Sequence, residues 1–327
     1  MQKNLKSNME QLFLGFDTSC YTTSVSCVDS KGIILDKRIM LSVPKGERGL
    51  RQSDALFQHN RNMPVLLDSL FHEIDPECIA GVGVSQKPVF AEDSYMPVFL
   101  CGTLTAKAVA ASRRLEPLLL NHQMGHIRAA VYGENEDLLN CPQFIAIHIS
   151  GGTTDILRVT TEECSINGIE ILGRSTDLHA GQFVDRVGVK LGLGFPAGKE
   201  LENLARMASK KQIKVPSSVK KLNCSFSGAE TFLDQCILKE NANEIAYAVY
   251  DCLSRTLQKM IQNTHSETGL NRFLLCGGVS SSGLLRELLR QRIKEDIQLC
   301  FGKSELSSDN AVGIALSSRD LLCRMQK

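Results

Sequence analysis

The sequence predicts an α/β fold with two lobes, each built on a mixed sheet. Of its 327 residues, 43% are hydrophobic and 22% are charged, which is typical of a globular protein with a substantial core. A strand–turn–strand–strand pattern occurs twice along the chain, and helical segments follow each copy. A duplicated unit of this kind favours two α/β lobes that face each other across a cleft.

The two copies of the pattern match at a fixed distance along the chain. Strands are predicted at 12–17, at 22–28 and from Gly32 in the first copy, and at 144–149, 153–159 and 168–172 in the second. Thr22 and Thr153 are 131 residues apart, and at this offset Phe13 matches Phe144 and Ser19 matches Ser150. The match indicates a duplication.

Helices and further strands complete each lobe. Helices are predicted at 54–74, 96–115, 180–191, 198–209, 228–239 and 243–264, with a last helix from about Ser308; strands are predicted at 79–85, 118–121 and 272–276. Pro64 is expected to begin a second helix within 54–74 because proline suits a first helical turn. The expected lobes are 10–129, with 308–327 packing back on it, and 130–307.

Composition limits the partners and the compartment. The net charge of +1 argues against broad binding to nucleic acid and leaves a local basic patch open. The 12 cysteines form no C-x-x-C pair and lie in apolar segments, as at Cys27, Cys101, Cys252 and Cys276, so reduced thiols of a cytoplasmic protein are expected. No apolar run reaches the ~18 residues of a membrane helix, and we expect no membrane partner.

The segment after the predicted strand 118–121 carries two histidines at metal-ligand spacing. His122 and His126 are four residues apart, so on a helix they share one face and can point at one ion. Two ordinary histidines would give the same spacing. The pair alone leaves both interpretations open.

Three turns favour a bound nucleotide when they are taken together. The turns Asp17–Ser19 and Ser150–Gly152 occupy equivalent places in the two copies, and a third, Cys276–Ser282, follows a buried strand and is expected to open a helix. Glycine amides and hydroxyls at such turns suit a polyphosphate. Each turn alone is equally consistent with a tight structural bend.

These motifs resemble, in order and over nearly the whole chain, the tRNA threonylcarbamoyladenosine synthase subunit family (TsaD type) of the actin-like ATPase (ASKHA) superfamily. The matching motifs are GFDTSC at 15–20, the histidine pair, SGG with Thr154, GQFVDR at 181–186, LGLGFPAG at 191–198, SFSG at 225–228, Gly277–Ser280 and SDNA at 308–311. The resemblance implies the two-lobed actin-like fold.

The resemblance also implies a metal site and a reaction. It assigns His122, His126 and Asp309 as ligands, and two histidines with one carboxylate suit Fe(II) or Zn(II). The implied reaction moves a threonylcarbamoyl group from threonylcarbamoyl-adenylate to the N6 amine of the tRNA adenosine beside the anticodon, and releases AMP. Implied partners are ATP or the acyl-adenylate, tRNA, an inactive actin-like relative and a small ATPase; the apolar segment 96–111 could contact that relative or pack on its own sheet.

By position, the resemblance assigns the nucleotide contacts. We expect the acyl-adenylate or ATP to be bound by Asp17, Ser19, His148, Ile149, Ser150, Gly151, Gly152, Asp185, Gly198, Gly277, Gly278 and Ser282. Asp185 could instead be an ordinary helix-surface carboxylate, and Asp309 a helix cap.

Several positions depart from the family pattern. Tyr21, Met124, Thr153, Gln182, Glu230 and Ser282 replace the residues that the family motifs usually carry. We therefore expect a divergent paralog whose first hypothesis is the acyl transfer. The alternative is a non-catalytic or regulatory member that binds ATP or ADP and acts through protein contacts.

Overall fold

The computed structural model describes residues 10–19, 21–43, 50–89 and 94–325. Cys20, the last residue of the GFDTSC motif, lies outside these ranges. Within the described residues, no helix is long and apolar enough to cross a membrane.

Contacts divide the described chain into two units. The first comprises the residues up to Tyr132, the short segment Glu162–Ile166 and the residues from Asp309 onward; the second comprises Gly133–Thr161 and Asn167–Ser308. Each unit contains a five-stranded mixed sheet and a separate hydrophobic core.

The first unit's sheet has the strand order β3-β2-β1-β4-β5. Its elements are β1 (Leu12–Asp17), β2 (Thr22–Val28), β3 (Ile33–Met40), α1 (Gln52–Glu73), β4 (Ile79–Lys87), α2 (Phe99–Ser112), β5 (Leu118–Asn121), α3 (His122–Val131) and, from the end of the chain, α9 (Val312–Met325). The β1–β2 pair is antiparallel, and β1–β4 and β4–β5 are parallel.

The second unit repeats this order as β12-β11-β6-β7-β8. Its elements are β6 (Gln143–Ile149), β7 (Thr154–Glu162), β8 (Ser165–Arg174), α4 (Ala180–Lys190), α5 (Gly198–Arg206), β9 (Ser218–Lys220), β10 (Asn223–Ser225), α6 (Ser227–Cys236), α7 (Ala242–Thr268), β11 (Arg272–Cys276), α8 (Gly283–Arg292) and β12 (Gln298–Phe301). The strands β9 and β10 form a separate hairpin.

The two sheets keep the 131-residue offset in their strand register. Phe13 pairs with Val28 and Asp17 with Ser24 in the first sheet. Phe144 pairs with Val159, and His148 with Asp155, in the second. The matching register shows that the duplication predicted from sequence extends to backbone pairing.

The two faces of β1 serve different purposes. Leu14 and Phe16 are fully buried in the core with α1, whereas Gly15, on the other face, lies against α9. A Cβ atom at Gly15 would lie 2.4 Å from the Ala311 carbonyl oxygen. Glycine at this position therefore lets α9 lie directly on the strand.

Three local predictions were wrong. Pro64 lies inside the single helix α1, where burial of Met63, Leu66 and Leu70 on both of its sides offsets the missing backbone hydrogen bond. The last helix begins at Val312, not near Ser308. The turn after β11 forms a short 3-10 segment, Gly278–Ser281, before α8 starts, because Ser282 is the cap of that helix.

Candidate metal centre and nucleotide loops

The histidine pair lies in the first two turns of α3. This helix starts where β5 ends, and the Asn121 side chain accepts a hydrogen bond of 2.8 Å from the Met124 amide at its first turn. The cap fixes the start of the helix, so His122 and His126 occupy one face, one turn apart. Their ring centroids are 4.4 Å apart.

Asp309 meets both imidazoles. Its Oδ1 atom lies 3.2 Å from His126 Nε2 and 3.6 Å from His122 Nε2. One ligand atom from each of the three side chains lies within 4.8 Å of the others. The carboxylate does not cap α9, because Asn310 Oδ1 accepts from the amides of Val312 and Gly313.

Close packing of two helices brings Asp309 to the histidines. At the contact of α3 and α9, Gly125 faces Gly313, and a Cβ atom on Gly313 would lie 1.8 Å from the Gly125 carbonyl oxygen. The absence of side chains there permits an approach that any larger residue would prevent. The site therefore depends on two residues that contribute no ligand.

The second nitrogen of His122 contacts a buried carboxylate. Asp17 is fully buried at the end of β1, and its Oδ2 atom lies 2.8 Å from His122 Nδ1. Its Oδ1 atom accepts from the Ser19 amide at 2.7 Å and from the Ser19 hydroxyl. Asp17 and Ser19 were predicted as nucleotide contacts; here Asp17 contacts a predicted metal ligand, and a role in nucleotide binding stays a prediction.

The charges at this centre shift the pKa values of its members. Burial lowers the pKa of His122, but the charge and hydrogen bond of Asp17, followed by Asp309, outweigh burial and raise it to about 10. Burial raises the pKa of Asp309, and the bonds from His122 and His126 outweigh that effect and hold it well below its usual range. The pKa of Asp17 is also lowered by His122, against the effect of burial.

The donor set fits a transition-metal ion. Two imidazoles and one carboxylate on one side of an ion leave coordination positions open for a substrate, as in sites for Fe(II) and catalytic Zn(II). A carboxylate on the outer nitrogen of a ligand histidine, as Asp17 is on His122, orients the ring and fixes its tautomer. Sequence reasoning missed this pairing because the two residues are 105 positions apart.

In the second unit, the Ser150–Gly152 turn lies beside the first turn of α4. The Gly181 amide donates to the Ser150 carbonyl at 3.0 Å, and the Ser150 amide donates to the Thr153 carbonyl at 2.8 Å. A Cβ atom on Gly151 or Gly152 would meet nothing within 4 Å. The turn is thus held from behind and open in front.

The turn after β11 packs against the end of β6. Gly277 has a φ of +88°, and a Cβ atom there would lie 2.4 Å from the Ile149 carbonyl oxygen and 2.7 Å from His148 Cδ2. Only glycine suits that conformation and that approach. The structure therefore brings His148, Ile149 and Gly277 together, while Gly278 borders open space.

Tyr250 connects the remaining predicted contacts and was not identified from sequence. Its hydroxyl donates to the Gly198 carbonyl at 2.8 Å and also bonds Ser282. Asp185 accepts from the Ala197 amide at 2.8 Å, and burial raises its pKa against that bond. Asp185 therefore holds the loop that leads into Gly198, which is more than an ordinary surface carboxylate does.

Local partners explain some of the departures from the family pattern. Gln182 Oε1 accepts from the His179 amide at 3.1 Å and so caps α4. Glu230 lies 2.9 Å from Lys190 Nζ and 3.4 Å from Arg186. The Ser282 hydroxyl caps α8 through the Leu285 amide. Nothing in the structure explains Tyr21.

The remaining two departures concern backbone contacts. Thr153 accepts the hydrogen bond that closes the Ser150 turn through its carbonyl, which any residue provides. Met124 is buried at 3% exposure in the first turn of α3. Neither substitution removes a contact that the described site uses.

Comparison with solved structures defines the class of protein. The activator of the 2-hydroxyisocaproyl-CoA dehydratase from Clostridium difficile, with bound ADPNP, matches with a TM-score of 0.58 at 13% identity, over 97% of each chain. Component A of the (R)-2-hydroxyglutaryl-CoA dehydratase from Acidaminococcus fermentans gives a TM-score of 0.60 at 14% identity, over 96% of this chain and 99% of that one. The chain has the actin-like ATPase fold, which confirms the predicted fold class.

Sequence comparison then identifies the family. The profile described as tRNA N6-adenosine threonylcarbamoyltransferase (TsaD) matches residues 41–316, so the chain belongs to that family. A relative of this name from Geobacter metallireducens is 30% identical over 329 residues, covering 96% of this chain and 92% of the relative. Another from Thermotoga neapolitana is 28% identical over 315 residues, covering 92% and 91%.

Proposed function

We propose that this protein transfers a threonylcarbamoyl group from threonylcarbamoyl-adenylate to N6 of the tRNA adenosine beside the anticodon. The observation that carries the proposal is the convergence of His122, His126 and Asp309, whose ligand atoms lie within 4.8 Å of one another. Family membership supports the reaction class. The proposed cofactor held by these three residues is Fe(II) or Zn(II).

In the transfer, the adenosine amine attacks the carbonyl carbon of the threonylcarbamoyl group. The new carbon–nitrogen bond replaces the bond from that carbon to the phosphate oxygen, AMP leaves, and the amine loses a proton to solvent. A bound metal ion supplies Lewis-acid polarisation of a substrate oxygen. Asp17 contributes by holding the His122 ring in place through its Nδ1 atom.

The nucleotide part of the substrate is proposed to bind at the loops of the second unit. Gly151 and Gly152 have open space in front of them and adjoin the first turn of α4, where amide groups and the helix dipole favour a phosphate. The Gly277–Gly278 turn and the loop held by Asp185 are proposed to contact the ribose and base. The bound ADPNP in the Clostridium difficile relative supports a nucleotide site in this fold.

A protein partner of the actin-like class is proposed to contact α2. Cys101, Ala106 and Ala110 of this helix are buried against the unit's own sheet, whereas Leu100 and Leu104 are 48% and 70% exposed. The helix thus packs on its sheet with one side and presents an apolar side outward. A small ATPase remains the second partner that the resemblance implies.

The test is a direct transfer assay. The purified protein, loaded with Fe(II) or Zn(II), is incubated with threonylcarbamoyl-adenylate and an unmodified tRNA transcript, alone and with candidate partners, and the modified nucleoside is measured by mass spectrometry. We expect product from the wild type, loss with Asp309→Asn, and no loss with Asp68→Asn, an exposed carboxylate on α1.

The alternative function has its own outcome in this assay. Glu230, with its two cationic neighbours, replaces a lysine of the family pattern, and this rearrangement favours a non-catalytic member that binds ATP or ADP. Normal nucleotide affinity in calorimetry and full metal loading, with no product from any tRNA tested, would establish the alternative and reject the transferase.

A further inference from the structure

One stretch of the second unit carries positive charge only. Residues 209–229 contain five lysines and no aspartate or glutamate, in a chain whose net charge is +1. The β9–β10 hairpin lies within this stretch, with a two-residue turn, Lys221-Leu222, that has a φ of +55° at Lys221. The local charge is therefore concentrated, although the overall charge is nearly neutral.

A cavity of about 500 Å³ opens beside this hairpin. Its lining includes two exposed lysines and several short polar side chains, namely Thr176, Ser218, Lys220, Lys221, Asn223 and Ser225. Hydroxyl, amide and ammonium groups are the donors that bind phosphate oxygens. We call this cavity the hairpin groove.

The long helix α7 fixes the backbone of the hairpin groove. Lys259 Nζ donates to the Ser217 carbonyl at 3.1 Å, and Asn263 Nδ2 donates to the Lys221 carbonyl at 2.7 Å. These two helix residues are four positions apart, so one face of α7 holds both sides of the hairpin. The groove is preorganised, and Lys259 adds a further positive charge beside it.

The nearest acidic groups do not neutralise the two groove lysines. No carboxylate in the described part of the chain forms an ion pair with Lys220 or Lys221. Asp177 adjoins the groove, but its carboxylate accepts from the hydroxyls of Ser225 and Ser227 and from the Phe226 amide. Its charge is thus used within the protein.

The other lysines of the stretch have different surroundings. Lys210 and Lys214 line a separate cavity together with Glu240 and Glu244, and Lys211 lies over the Tyr247 ring at 4.9 Å. These contacts reduce the positive field at that end. The uncompensated charge therefore lies at the hairpin groove.

We propose that the hairpin groove binds the phosphate backbone of RNA. Pairs of uncompensated lysines beside hydroxyl donors provide sequence-independent phosphate contacts. A membrane surface fits less well, because the hairpin's apolar residues, Val219 and Leu222, pack toward the core and leave nothing to insert into lipid. That the RNA is the tRNA acceptor rests on the proposed function.

The test measures binding apart from catalysis. Affinity for a fluorescent tRNA transcript is measured by anisotropy over a range of salt concentrations, for the wild type and for Lys220→Gln/Lys221→Gln. We expect about a tenfold loss of affinity near 0.1 M salt and a shallower log–log salt slope, by about one for each phosphate contact removed. The matched control is Lys294→Gln, an exposed lysine beside Glu295 and Asp296, which is expected to keep the wild-type affinity and slope.

Two competitors and one parallel assay make the outcomes separable. Equal competition by poly-L-glutamate and by tRNA would overturn the proposal in favour of an acidic protein ligand, as would an unchanged affinity in the double variant. Anionic vesicles that bind through Lys220 and Lys221 more tightly than RNA would also overturn it. RNA binding that depends on the two lysines, with no acyl transfer by the wild type, would support the groove and reject the proposed reaction.

Discussion

At the scale of single residues, His122 lies between two carboxylates. Its Nδ1 atom contacts Asp17 at 2.8 Å, and its Nε2 atom lies 3.6 Å from Asp309. In a metal-free protein a proton on the ring joins the two negative groups; in a loaded protein the ion would take the place of the Nε2 proton. The same arrangement therefore suits both states, because each places positive charge between two carboxylates.

Metal content gives the direct test of the ligand assignment. His126→Ala and Asp309→Ala each remove one of three donors, so we expect these proteins to lose most of their bound Fe or Zn in elemental analysis. Asp17→Asn keeps all three donors but weakens the support of His122, and we expect a metal affinity lower by about 10- to 100-fold. His72→Ala, an exposed histidine on α1, serves as the control. Unchanged metal content in Asp309→Ala would contradict the assignment.

The raised pKa of His122 predicts how the stability of the metal-free protein changes with pH. Its folded pKa of about 10 lies above the unfolded value of about 6.5. The stabilisation is therefore fully present below about pH 6.5 and is lost as pH rises through about 10. With chelator present, we expect the wild type to exceed His122→Asn in free energy of unfolding at pH 6, and the difference to shrink at pH 10.

Urea unfolding of both proteins at the two pH values measures this effect. His72→Asn controls for the general effect of removing a histidine. A difference between wild type and His122→Asn that stays constant from pH 6 to pH 10 would show that His122 is not held in its charged form.

At the scale of secondary-structure elements, the duplicated strands place different chemistry at equivalent positions. Asp17 and His148 correspond at the 131-residue offset, and their cross-strand partners, Ser24 and Asp155, correspond as well. Asp17 contacts a histidine of α3, whereas His148 packs beside Gly277. The two units thus share a backbone plan and have diverged at the ends of their first strands, where side chains reach their sites.

The contact between α3 and α9 predicts a loss of metal without the loss of a ligand. Gly313→Ala would place a Cβ atom 1.8 Å from the Gly125 carbonyl oxygen, so the helices must separate and Asp309 must move from His126. We expect a lower melting temperature and a metal affinity at least tenfold weaker. In the control Gly168→Ala, the new Cβ atom would lie 3.8 Å from Thr160, an ordinary contact.

Calorimetric melting and metal titration of the two glycine variants provide the measurement. If Gly313→Ala bound metal as tightly as Gly168→Ala does, the close approach of α3 and α9 would be irrelevant to the site.

At the scale of the whole molecule, the cysteines divide by burial. Cys27, Cys101 and Cys252 are buried in the two cores, and burial, with Asp29 adding to it at Cys27, raises their thiol pKa values to about 12, about 11 and about 11 respectively. Thiolates are the reactive form, so these groups are protected both by access and by protonation. Cys323 on α9 is exposed.

Labelling with a thiol reagent tests this division. Under native conditions at pH 8 we expect Cys323 to react rapidly, and Cys27, Cys101 and Cys252 to react only after denaturant is added, with sites assigned by peptide mass spectrometry. Fast native labelling of Cys101 would show that the packing of α2 on its sheet is open on the timescale of the reaction.

The sequence by itself determined the repeated strands, the order of most helices and the position of the histidine pair. These features depend on local periodicity, turn residues and spacing, which the chain carries within a few neighbouring positions. The strands at 12–17, 22–28 and 118–121 were predicted at the boundaries that the structure shows. The strands β9, β10 and β12 were not predicted, because each has only three or four residues and no clear alternation.

Only the tertiary structure decided which distant side chains meet. The approach of Gly313 to Gly125 brings Asp309 to His126, and the end of β1 places Asp17 on His122. Burial on both sides of Pro64 keeps α1 continuous against the local preference of proline. Such contacts depend on how elements far apart in the chain pack together, and local sequence patterns carry no information about those distances.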